Sequence, residues 1–170
     1  MKKHNGMRPH DIVVLLKIAA KGKNNWLMKD LSYELGISAS EISESINRSA
    51  YANLIAQDKK RLMRSALLEF LEYGIQYVYP QKPGSLARGI KTAHSAQPLN
   101  SIISSDEHFV IPYAKGDTKG QIIEPLHANL AEACLKDIGF YELVALSDAL
   151  RAGKVREKKI AIQELKKRIA

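Results

Sequence analysis

The stretch "MKDLSYELGISASEISESI", Met28 to Ile46, constrains the fold more than any other part of the chain. Gly36 supplies the left-handed backbone that ends a helix, and Ile37 can then drop into a core. Ser38 with Glu41 makes the S-x-x-E capping box that starts a second helix. Two short helices joined by a sharp turn follow. The first spans Leu27 to Leu35, with Leu27, Leu31 and Leu35 on one face and Trp26 as a lid. The second runs from Ser38 to Ala52, with Ile42, Ile46 and Ala50 inward and Ala39, Ser40, Ser43, Glu44, Asn47 and Arg48 outward.

The flanking sequence extends this helical core. "RPHDIVVLLKIAAKG" opens with Pro9, suited to a first helical position, and closes at Gly22, so a helix is expected from Pro9 to Lys21. A fourth helix is expected in "DKKRLMRSALLEFLEYG", closed by Gly74. "IQYVYP" has the β-branched and aromatic content of a strand ended by Pro80, and "HFVIPY" reads as a second strand with Pro112 at its edge. "YAKGDTKGQ" is a tight turn that opens a further short strand through Ile122 and Ile123. The connection between the first two strands exceeds the ~12–15 residues usual for unstructured loops, and it carries Lys82, Arg88 and Lys91 with no acid before Asp106. It reads as a basic wing.

The last third is helical: Asn129 to Lys136, Phe140 to Arg151 and Val155 to Ile169. Val155, Ile162, Leu165 and Ile169 form a narrow apolar seam opposite a basic face, a pattern suited to packing against another helix in this chain or a second copy. The expected fold class is mainly α with a small β-hairpin. Residues 1–126 form the domain with the turn and the long loop, and residues 127–170 a C-terminal helical region for dimerisation or partner binding.

Charge points to a polyanion. The formal net charge is +8, distributed as +4 over residues 1–60, −2 over 61–150 and +6 over 151–170. The single cysteine, Cys134, excludes an internal disulfide and suits a reducing, cytoplasmic setting. Lys17 interrupts the N-terminal apolar run, which reads as a core helix rather than a signal. No run of about 18 apolar residues is present, so no membrane span is expected.

Catalytic patterns are sparse. There is no G-x-x-x-x-G-K-[ST] phosphate loop, no G-x-G-x-x-G after a strand and no G-x-S-x-G elbow. Cys134 sits at a core-like spacing. His94 and Ser95, with Asp106, Glu107 and His108, contain the residue types of a hydrolytic or metal site, but no spacing forces them together. His94 is expected to make loop hydrogen bonds or to touch phosphate. The chain is read as no enzyme, with no cofactor and no metal.

"DLSYELGISASEISESI" resembles the helix-turn-helix of bacterial transcription regulators, and with the strand pair the chain resembles a winged helix of the MarR-like kind. "RGIKTAHSAQPL" and "LSDALRAGKVREKKIAIQEL" are similar to segments of small bacterial proteins labelled winged-helix or MarR-like regulators, some of which accompany a second protein in toxin–antitoxin-like modules. The resemblance covers about a fifth of the chain directly and about two-thirds with the wing. It implies a dimeric repressor of transcription that binds double-stranded DNA as a homodimer. Its reading helix falls on Ser38 to Ala52, so Ser38, Ser40, Ser43, Asn47 and Arg48 become candidates for base or phosphate contact, with Lys82, Arg88, Lys91 and His94 on the wing. Glu44 departs from the pattern: its carboxylate repels phosphates unless it accepts from a cytosine amine in the major groove. The alternative is an antitoxin-like or adaptor module that grips a toxin-like partner protein around Asp148, Arg151 and Arg156 and autoregulates its operon.

Overall fold

The structure, a computed structural model, describes residues 5–170, and these form a mixed α/β unit dominated by helices. The basic start at Lys2 and Lys3 lies outside the described residues. Helix α1 spans Pro9–Ala20, with Pro9 at its first position, and every residue from Asp11 to Ala19 is buried. A helix apolar nearly all round belongs in the middle of a bundle. It packs on α3 (Ala39–Tyr51) on one side and on α7 (Ile138–Ala152) on the other. Between α1 and α3 lies α2 (Met28–Leu35), whose Leu31 and Leu35 are buried.

The chain after α3 differs from expectation in three places. The fourth helix does not open at Asp58, and residues Leu54 to Met63 are not helical. They form a tight hairpin, with Ile55 opposite Leu62, Ala56 N–H on Arg61 O at 2.8 Å and Met63 N–H on Leu54 O at 2.9 Å. The helix α4 begins only at Arg64 and runs to Tyr73. "IQYVYP" is not a strand: Ile75–Val78 is a short helix, α5. The N–H groups of Tyr77 and Val78 bond back to Gly74 O at 3.0 and 3.1 Å, so local bonds are satisfied without a strand partner.

Third, the expected loop contains a strand. β1 (Leu86–Lys91) pairs antiparallel with both β2 (Phe109–Pro112) and β3 (Thr118–Ile122), while β2 and β3 run parallel. Each strand therefore pairs with both others, and the small sheet closes on itself. The closure is tight enough that a Cβ at Gly89 would run into the Ile111 carbonyl, and one at Gly120 into that of His108. Only glycine lets backbones approach so closely.

Helices α6 (Leu130–Leu135), α7 and α8 (Val155–Ile169) complete the chain. One buried cluster runs continuously from Ile12 to Ile169, so a boundary at residues 126–127 separates no two cores. The α8 seam is consumed inside this chain. Ile162, Leu165 and Ile169 are buried, and α8 packs on α4 and α7, which leaves only Val155 of the four seam residues exposed. None of the described helices is long and apolar enough to cross a membrane.

Candidate functional site

The turn between α2 and α3 is built as its residues dictate. Gly36 adopts φ 64° and ψ 34°, the left-handed region where a side chain would be strained. Ile37 is buried, its N–H bonds to Ser32 O at 3.2 Å, and Ser32 Oγ donates to Ile37 O at 2.5 Å. Asn129 Nδ2 donates to Gly36 O at 2.8 Å, tying the turn to the start of α6. Ser38 caps α3 by accepting from the Glu41 N–H at 3.3 Å. The bond runs in this direction only, so Glu41 fills half of the expected box and keeps its carboxylate near the positive end of the helix.

On α3 the exposed residues Ser40, Glu44, Asn47 and Tyr51 fall at helical spacing, forming one stripe with half-buried Ser43 beside it. Ile42, Ser45, Ile46, Ser49 and Ala50 form the buried side. The stripe mixes small polar side chains with a carboxylate and the exposed Tyr51 ring. It offers no cation of its own.

Arg48 is the reason. Expected on the outside, it is turned inward, its side chain only 12% exposed, and holds fully buried Asp11 of α1 with two bonds, Nε to Oδ2 at 2.9 Å and Nη2 to Oδ1 at 2.8 Å. Its Nη2 also lies 3.2 Å from His10 Nε2, and Nη1 lies 3.8 Å from Glu44 Oε2. Burial pushes the Asp11 carboxyl up, but the Arg48 guanidinium and the Arg8 N–H outweigh this and hold it below the ordinary value. The fork of an arginine fits a carboxylate bidentately. Arg48 is thus committed to fastening α3 onto α1.

Cations appear next to α3 in the hairpin instead. Its base is latched to the end of α3: the N–H groups of Leu54 and Ile55 bond to Ser49 O, and Gln57 Nε2 donates to Ala50 O at 2.8 Å. Its tip exposes Asp58, Lys59, Lys60 and Arg61, with Lys59 at φ 60° forming the turn. The residues expected to do this work lie elsewhere. Lys82 and Arg88 are exposed and Lys91 half-buried, but they sit on or beside the closed sheet, which packs through Ala93–Ser95 onto α7 rather than onto α3.

His94 is buried rather than available to phosphate. Its Nε2 lies 2.8 Å from Glu107 O, its ring meets Phe109 edge-on at 4.6 Å, and Nδ1 lies 3.9 Å from Glu157 Oε1. Asp106, Glu107 and His108 are exposed, and among the described residues no group of three His, Cys, Asp or Glu is arranged to hold a metal. Cys134 is a buried free thiol, its pKa pushed up by burial, the reverse of what a nucleophile requires.

Two of the three residues expected to grip a partner are interior. Asp148 accepts from Thr92 Oγ1 at 2.6 Å and from Arg151 Nη1 at 3.0 Å. Arg151 also donates to Tyr79 O and Glu124 O, at 3.0 and 3.1 Å, which binds α7 to the end of α5 and to the segment after β3. Burial pushes the Asp148 pKa up, against the pull of Arg151 and Thr92. Buried charges persist only when satisfied in this way. Arg156 alone of the three is exposed. Comparison with family models, curated proteins and solved structures returns no match for the chain.

Proposed function

We propose that the chain is a sequence-specific DNA-binding regulator of transcription on a winged helix-turn-helix of MarR-like kind, with α2 and α3 as the helix pair and the Leu54–Met63 hairpin as its wing. The supporting observation is the succession of a polar exposed stripe on α3 and, directly after it, a hairpin presenting Lys59, Lys60 and Arg61. In this reading Ser40, Ser43 and Asn47 meet base edges in the major groove, Glu44 accepts from a cytosine amine, and the hairpin cations hold the backbone. Lys82 and Arg88 serve only duplex that reaches the sheet. Two copies bind as a homodimeric repressor in the cytoplasm, pairing through a surface other than the α8 seam.

Selection of bound genomic fragments at moderate salt tests this. One enriched sequence is expected, and Asn47→Ala weakens binding to it by about 1–3 kcal/mol. Absence of duplex binding at about 50 mM salt overturns the reading.

A second reading, an antitoxin-like module binding an acidic toxin-like partner, is favoured by the outer face of α8. There Val155 is 84% exposed beside exposed Arg156 and Lys159. Co-purification of a partner that is lost in Arg156→Glu would favour it.

A further inference from the structure

A concavity of about 320 Å³ lies between the hairpin and the connection from α1 to α2. Lys23, Asn24, Asn25 and Trp26 line one side and Lys60, Arg61 and Arg64 the other, with no carboxylate in the lining. Arg64 is structural: Nη2 donates to Gly22 O at 2.6 Å and Nη1 to Ile169 O at 3.0 Å, which fixes the floor. Trp26 packs against the core and provides an apolar wall. Lys23, Asn24, Asn25, Lys60 and Arg61 are exposed.

The charge there is only partly offset. Asp58 at the hairpin tip takes the Lys60 N–H at 2.9 Å, faces Arg61 Nε at 3.4 Å and feels the Lys60 charge through space, but among the described residues neither the Lys23 nor the Lys60 ammonium has a carboxylate within ion-pair distance. Side-chain amides beside exposed ammonium groups match phosphate oxygens, which accept from both. The concavity is also continuous with the hairpin tip, since Lys60 and Arg61 belong to both.

We infer that this concavity is a backbone-phosphate site for duplex DNA, gripping the strand outside the stretch met by α3. The inference rests on the DNA-binding reading and adds to it a second contact on the α1–α2 connection, carried by Lys23, Asn24, Asn25 and Lys60. Contacts of this kind bind all sequences alike and supply salt-dependent affinity.

The test is fluorescence anisotropy of a labelled random-sequence duplex across about 50 to 200 mM salt, with the full chain and two double variants. Lys23→Gln/Lys60→Gln is expected to weaken binding at least about tenfold and to flatten the log–log salt slope by about 1.8, two phosphate contacts' worth. Lys115→Gln/Lys119→Gln, which removes the same charge near and on β3, is expected to leave the slope unchanged. Equal losses in both pairs, or none in the first, overturn the site, while Asn47→Ala still losing its operator would leave the regulator reading standing. Loss confined to the first pair, with no sequence enriched by selection, would keep the site and remove that reading. Tighter binding to single-stranded RNA than to duplex overturns the assignment to duplex DNA.

Discussion

Arg48 on α3 and Asp11 on α1, thirty-seven residues apart in the chain, form a two-bond ion pair whose carboxylate is fully buried. Removing one partner strands a buried charge. Arg48→Ala is expected to destabilise the fold by about 3 kcal/mol in urea unfolding. Asn47→Ala, one residue away on the exposed stripe, should change stability by less than about 0.5 kcal/mol. If Arg48→Ala unfolds at the wild-type urea concentration, the pair does not fasten α3.

The same pair sets an acid limit. The Asp11 carboxyl is held below its ordinary value near 3.8 in the folded chain, so the unfolded chain binds the proton more readily. Its stabilising contribution is therefore complete above that value and is lost as pH falls through the depressed one. Asp11→Asn is expected to remove this part of the acid dependence, leaving a shallower fall in thermal midpoint below about pH 4. An unchanged acid profile in the variant would refute the assignment.

Arg151 joins Asp148 to two backbone carbonyls, whereas Arg156 projects from the surface of the next helix. Arg151→Ala is expected to cost about 3–5 kcal/mol, since it leaves Asp148 buried and half paired. Arg156→Ala should be silent in the same thermal or urea melt. Any loss of partner capture in Arg156→Ala then reflects the surface rather than the fold.

The phenol of Tyr79 has no hydrogen-bond partner among the described residues, and burial pushes its pKa up to about 12. An unpaired buried hydroxyl is a desolvation cost without return. Tyr79→Phe is expected to stabilise the chain by up to about 1 kcal/mol in chemical denaturation. A destabilised variant would show that the hydroxyl is satisfied after all.

Local signals carried much of the architecture. The cap at Ser38, the Gly36 turn and the 3.6-residue spacing of Ile162, Leu165 and Ile169 depend on neighbours a few residues away, and α2, α3 and α8 form where those signals stand. What was not legible depends on partners far along the chain. β1, "LARGIK", has weak strand character and exists because its edges meet residues 109–122. "IQYVYP" has strand-like residues, yet Gly74 lets a helical turn continue, and Arg151 then takes the Tyr79 carbonyl. The hairpin hid because the left-handed positions just before it and at its turn are Asn53 and Lys59 rather than glycine, so "DKKR" looked like a helix start. Arg48 and Arg156 are equally plausible surface cations by sequence. Only Asp11 distinguishes them.

The packing of α1 against α7 also bears on how the protein is made. Residues 12–18 form a largely apolar strip that leaves the ribosome well over a hundred residues ahead of the helix that covers it, 138–152. Until then α3 can hold Asp11 through Arg48 but rests on a half-covered support. A growing chain therefore displays the polar stripe of α3 before it owns a finished interior, and shielding of the residue 12–18 strip during synthesis becomes a condition for a high yield of native protein.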